Sequence, residues 1–269
     1  MFISDGAIKN EKEDKLNRAG FAQKLGEQIL DLGNYEESKV IGIYGDWGKG
    51  KTSILNIATS HIEEISKKLK KTKRPIIFRF NPWNFSEQEV LLLAFLQQLF
   101  SSVNQRLPAL KKDFQKNING LAKALGAFES VPVVGIPLAA TGKAINLIVP
   151  EESLEDLRAK IDEFFRKLEC KVVVIIDDVD RLTEKEIRQI FQLVKVNANF
   201  PNTIYLIAFD RNVVEKALSA EQEGVSGRDY LEKIIQVGFD VPTIEQSRIN
   251  AFLFSNLSTI TKVARNEPR

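Results

Sequence analysis

A single cysteine, Cys170, and a single histidine, His61, are all that the chain holds of these two residue types. They cannot supply an intramolecular disulfide framework, a Cys/His zinc site or a Ser/His triad. An excess of one charge is missing as well. The formal net charge is +2, with 28% charged and 43% apolar residues, which speaks against both a disordered segment and a strongly basic nucleic-acid binder. The opening MFISDGAIKNEKEDK has few apolar residues and no small-residue cleavage pattern. No secretory signal is read, and a reduced, cytoplasmic setting is expected. A long uninterrupted apolar run is also lacking. The richest stretch, Val131 to Val149, is broken by Pro132, Gly135, Pro137, Gly142 and Lys143. A spanning helix needs about 20 predominantly apolar residues, so a packed insertion is favoured over a membrane hairpin, with peripheral membrane contact in between.

What is present is an alternation of short apolar runs and amphipathic stretches. Leu16, Phe21, Leu25, Ile29 and Leu32 recur at mostly helical spacing, predicting a helix from Asp14 to Leu32. Strands are read at Val40–Tyr44, Ile76–Phe80, Lys171–Ile176, Thr203–Phe209 and Gln236–Val241, with helices between them. A helix rich in Leu and Phe is expected from Glu87 to about Phe100. From Val103 to Pro150, prolines and glycines interrupt the pattern. The expected division is therefore a first half of an α/β core over 1–102, an insertion over 103–150, the second half over 151–242, and the start of a truncated helical lid over 243–269.

Between the first strand and its helix lies Gly45-Asp46-Trp47-Gly48-Lys49-Gly50-Lys51-Thr52, which fits G-x-x-x-x-G-K-[ST] in the context this motif demands. The chemistry explains each residue type. Glycines let backbone N–H groups face phosphates and the helix N-terminus adds its positive end. Lys51 would reach the β- and γ-phosphates, and Thr52 would hold magnesium. The run Val172 to Ile176 then ends in Asp177-Asp178 at a strand's carboxyl end, the edge where open α/β sheets bind ligands. Asp177 is expected near the magnesium, and Asp178 at the γ-phosphate, orienting or deprotonating the attacking water. A bland reading of two turn-capping acids stands beside it. Asp180 and Arg181 form either a local ion pair or part of the catalytic apparatus. Asp210, after the fourth strand, is a candidate polar residue between metal and γ-phosphate or else a turn residue. No Asn-Lys-x-Asp stretch of the guanine-specific kind is present, which tilts the base toward adenine and the cofactors to ATP and Mg2+.

GDWGKGKTS, FNPWNF, VVVIIDDVDRL, LIAFDRNVV and YLEKIIQVGFDVP together make the chain resemble the KAP family of P-loop NTPases, over roughly Asp14 to Pro242. The resemblance implies an ATPase of the additional-strand class: a three-layer α/β fold with a five-stranded parallel sheet in the order 5-1-4-3-2, and a helical insertion between the second strand and the acidic one. It adds Ser53 and Arg18 to the nucleotide-contacting residues. It also implies a switch or motor in anti-phage defence or signalling, or a nucleotide-dependent scaffold. The partner would be another copy or an attached effector domain. The basic run Lys67 to Arg74 is read as a solvated helix end, with nucleic-acid or lipid contact as the alternative. Trp83 either lines the cleft or anchors a helix. Lys233 stands where related NTPases place a trans-acting arginine, with Arg228 as the alternative.

Overall fold

In the computed structural model, residues 6–33, 35–82, 88–107, 153–219 and 226–265 are described. Trp83, the stretch Val131 to Val149 and the insertion from residue 108 lie outside them.

Five strands, β1 (Lys39–Tyr44), β2 (Ile76–Phe80), β3 (Val172–Ile176), β4 (Thr203–Phe209) and β5 (Val237–Asp240), form one parallel sheet in the order β2-β3-β4-β1-β5. Read from the other edge this is 5-1-4-3-2, as the resemblance implies. All of β3 and β4 is buried, because a parallel strand covered on both faces meets a core on each side, and apart from Thr203 and the Tyr205 hydroxyl, both hydrogen-bonded, the two strands are apolar. Alternate residues divide between two cores. Ile41, Ile43, Val173, Ile175, Leu206 and Ala208 meet α1 (Ala19–Asp31) and α2 (Lys51–Ser66). Val172, Val174, Ile176, Tyr205, Ile207 and Phe209 meet α3 (Gln88–Arg106), α4 (Leu154–Lys167), α5 (Glu184–Gln192), α6 (Arg211–Ser219) and α7 (Gly227–Glu232). The result is three layers. A last helix, α8 (Gln246–Arg265), follows β5.

Two helices differ from their sequence-based limits for local reasons. The helix expected from Asp14 begins only at Ala19, because Asn17 adopts a left-handed φ of 59° that no helix accommodates. Asp14 instead accepts the backbone N–H groups of Arg18 and Ala19, each at 2.7 Å, and so satisfies donors at the helix start. Helix α3 runs past Phe100 to Arg106, with Val103 buried against the same core as Leu96 and Leu99. Beyond the end of α2, Arg74 folds back on the carbonyls of Lys67 and Leu69, which gives part of the basic run the helix-end role expected of it.

Buried Asn202 turns the chain into β4 with φ of 55°. Its side chain accepts from the Tyr35 N–H at 3.2 Å and donates to the Phe165 carbonyl at 3.1 Å. Asparagine tolerates this backbone better than most residues. Asn202→Ala removes both bonds and puts an alanine at a left-handed φ, so it is expected to cost about 2 kcal/mol, measurable by urea unfolding.

Candidate functional site

Strand β1 delivers the glycine-rich turn to the carboxyl edge of the sheet, and the chain then leaves over α2 for β2, three strands away. That crossover keeps the edge beside β4 and β3 open. Gly48 and Gly50 hold φ of 77° and 82°, a left-handed turn that L side chains rarely adopt. A Cβ on Gly50 would also stand 2.8 Å from the Arg18 guanidinium. The turn opens into a cleft of about 1110 Å³. Among its lining residues are Asp46, Trp47, Gly48, Gly50, Lys51, Thr52, Ser53, Asp178, Asp180, Arg181 and Arg18.

The α8 side chains Phe252, Leu253 and Leu257 form an apolar wall of the cleft, with Lys15 over the Phe252 ring at 5.3 Å. The N-terminal segment closes another side. The Ile8 N–H donates to Ser53 Oγ at 3.3 Å, and the Asn56 side-chain amide donates to the Ile8 carbonyl at 2.8 Å. Buried Arg18, at the start of α1, donates to the Lys49 carbonyl. Burial holds its guanidinium below the ordinary arginine value, against the pull of Asp14. Its Nε is buried with no hydrogen-bond partner.

Lys51 lies at the first position of α2, and its ammonium donates to the Gly45 carbonyl at 2.7 Å and the Asp46 carbonyl at 3.4 Å. Its ion-pair partner is Asp180, 3.5 Å away. The local Asp180–Arg181 pair considered from sequence is not what forms. Both residues lie in one short helical turn, Val179–Arg181, and adjacent side chains on a helical turn do not face each other. Arg181 reaches back to Asp178 at 3.1 Å and covers the exposed Trp47 ring at 5.0 Å.

Asp178 has φ of 59°. Its N–H donates to Asp177 Oδ1 at 2.8 Å. Burial first, and then the charge of Asp177, raises the Asp178 carboxyl above the usual carboxylate range. Asp180 adds to the shift, while Arg181 and Lys51 oppose it. A raised folded-state pKa favours the fold below the unfolded pKa, and that gain is lost as pH rises through the folded value. Ionised Asp178 is therefore a burden at neutral pH. Asp178→Asn is expected to melt higher than the parent there, with the difference shrinking as the solution is acidified. Calorimetry across a pH series checks this.

Asp177 is turned to a smaller neighbouring cavity of about 190 Å³, shared with Arg79, Phe80, Asn81 and Asp178. Thus Lys51, Thr52 and Asp178 share the large cleft, while Asp177 lines only the adjoining one. Asp210 is in neither lining. It accepts from the N–H groups of Asn212 and Val213 at 3.0 and 3.3 Å, capping α6. Arg228 is engaged by Glu232 at 2.9 Å.

Arg79 went unnoticed in the sequence, since an arginine on an edge strand reads as solvated. Its guanidinium donates to Asn56 Oδ1 at 2.7 Å, and its surroundings include the charge of Asp177. It thereby links α2 to the acidic strand.

The donor set suits a hard cation. The Thr52 hydroxyl and the Asp178 and Asp180 carboxylates line one cleft, and Asp180 Oδ1 is buried without a hydrogen-bond partner. Magnesium takes oxygen ligands and usually keeps several from phosphate and water. No group of three or more His, Cys, Asp or Glu side chains gathers into a protein-only metal cage among the described residues. Nor is any described helix long and apolar enough to cross a membrane.

The chain is similar to the Phage T7 exclusion protein of Escherichia coli (strain K12), at 27% identity over 291 aligned positions, covering 98% of this chain and 38% of that protein. It therefore spans well under half of that relative's length. Among solved structures, the Aeropyrum pernix ORC2 protein in ADPNP–ADP complexes resembles it with a TM-score of 0.48 at 15% identity, over 89% of this chain and 51% of that one. PCH-2 of C. elegans does so at 0.38 and 12%, over 91% and 47%. Likeness at that level carries nothing about chemistry. The family of KAP P-loop domains, by contrast, matches residues 18–269, a span that runs from Arg18 beside the loop past both acids to the end of the chain. On that extent of match, the chain belongs to the KAP family of P-loop NTPase domains.

Proposed function

We propose that this domain binds Mg-ATP, hydrolyses it slowly and works as a switch or motor for an attached or partner element. The observation that carries this reading is the cleft in which Lys51, Thr52, Asp178 and Asp180 meet at the N-terminus of α2. Backbone N–H groups of residues 48 to 52 would face the β- and γ-phosphates, with the positive end of α2 behind them. Lys51 would bind the terminal phosphate oxygens. Ser53 and Arg18 hold the N-terminal segment and the Lys49 carbonyl against the loop, which keeps it in its phosphate-binding shape. Thr52 and an acid, with Asp177 the sequence-based choice, would hold magnesium. When bound, the ion supplies charge neutralisation for the phosphates.

Asp178 would accept a proton from water as the water oxygen attacks the γ-phosphorus. The bond from that phosphorus to the β–γ bridging oxygen breaks, leaving ADP and inorganic phosphate. A carboxyl raised by burial is better suited to accept a proton than an ordinary aspartate. Asp210 would act at a distance, by fixing the start of α6 at the end of β4. The missing guanine signature favours ATP over GTP. The resemblance to a phage exclusion protein supports a place in anti-phage defence.

A specific observation favours a second reading, a nucleotide-dependent scaffold with little turnover. Arg181 binds Asp178 at 3.1 Å and competes for the carboxylate that water would need. Titration with a fluorescent ATP analogue, with and without magnesium and in competition with ATP and GTP, tests both readings when phosphate release is followed in parallel. Magnesium-supported binding that prefers ATP, with measurable release, is the expected outcome. Binding without release selects the scaffold, and no binding at all defeats both.

A further inference from the structure

Lys51 is already occupied. Its ammonium is surrounded by the Gly45 and Asp46 carbonyls and by Asp180 Oδ2, at 2.7, 3.4 and 3.5 Å. The Lys51 and Asp180 side chains are 7% and 10% exposed, so the pair is largely shielded from water. The second carboxylate oxygen, Oδ1, is buried and has no hydrogen-bond partner. Both residues line the same cleft.

Two consequences follow from charge alone. A phosphate oxygen that draws Lys51 towards it competes with Asp180, the one anion among its three partners. Once Lys51 has moved, a poorly hydrated carboxylate is left facing a polyanion, and a buried charge that loses its partner is costly. Two of the cations that line the cleft are directed elsewhere. Arg181 is directed at Asp178 and Trp47, and Arg18 at the Lys49 carbonyl.

We infer that Asp180 is an affinity-setting residue of the nucleotide site: it holds Lys51 in the free protein and opposes any triphosphate that arrives without a divalent cation. The Thr52 hydroxyl and the unpartnered Asp180 oxygen give such a cation oxygen donors in the same cleft. The domain would therefore discriminate between metal-free and metal-bound nucleotide by a competing carboxylate, in addition to the metal's own ligands. This rests on reading the loop as the triphosphate site.

The test is nucleotide affinity measured with excess chelator and again with excess magnesium, using ATP and an ATP analogue on the parent, Asp180→Asn, Asp180→Glu and Lys51→Ala. Asp180→Asn is expected to bind metal-free ATP about tenfold more tightly, which corresponds to about 1.4 kcal/mol, with a smaller change for Mg-ATP. Asp180→Glu, which keeps the charge, is expected to stay weak without metal. Damage to the fold would weaken binding, so a gain confined to the metal-free arm is not a structural side effect. If the asparagine variant fails to fold, Asp180→Ser carries the same expectation. Lys51-dependent binding by the parent, with no gain in the neutral variants, overturns this inference and leaves the proposed function standing. Binding that is absent, or equal in parent and Lys51→Ala, overturns both.

Discussion

Lys51→Ala is expected to weaken Mg-ATP binding by about a hundredfold or more, which corresponds to about 2.8 kcal/mol. Hydrogen bonds to a charged group contribute roughly 1.5–3 kcal/mol each, and Lys51 is the cation at the mouth of the loop, at the first position of α2. Isothermal titration reads the loss directly. The same substitution strips Asp180 of its ion-pair partner, so the variant is also expected to melt below the parent. The two effects can be separated. In the double variant with Asp180→Asn, no buried carboxylate is left unpaired. Stability should then return while nucleotide binding stays lost. If binding returned together with stability, Lys51 would be a structural residue of the loop and the triphosphate reading would fail.

Asp178→Asn is expected to leave Mg-ATP affinity within a few-fold of the parent and to lower phosphate release by roughly 10²- to 10⁴-fold, the range in which a positioned general base operates. The expected rise in stability makes this result hard to mistake for misfolding. Ionised Asp178 is a burden at neutral pH, and asparagine is among the few residues that accept a φ near 59°. A variant more stable than the parent, equal in binding and silent in turnover would place Asp178 in the chemical step. Unchanged phosphate release would mean that another group, or water alone, handles the proton. Single-turnover measurements are the appropriate readout, because slow product release could mask a change in chemistry.

Much of the framework is written in short stretches of sequence. Ile76–Phe80 and Thr203–Phe209 have the same limits in sequence and structure, since apolar runs bounded by breakers leave little freedom. The loop is equally local. Glycines at 48 and 50 take the positive φ values that its turn requires. Strand order was legible only through family resemblance, because the residues of β1 contain nothing that names β4 and β5 as its neighbours. The start of α1 departs from the apolar spacing for a definable reason. Apolar spacing continued through Leu16 and Phe21, but one left-handed residue, Asn17, outweighs spacing. Arg79 was missed because only the folded sheet brings an edge-strand arginine close to Asp177 and Asn56.

By itself, then, the sequence determined that a triphosphate-type loop and a pair of acids exist, each on the carboxyl end of an apolar strand, because each is a contiguous pattern with its own local geometry. Which acid meets which cation was decided by tertiary structure alone. Lys51 and Asp180 are 129 positions apart in the chain, and their pairing depends on β4 spacing β1 from β3 and on a short turn that sends Asp180 inward and Arg181 back to Asp178. Charge interaction falls with distance and rises with burial, and both quantities are fixed only when the sheet has assembled.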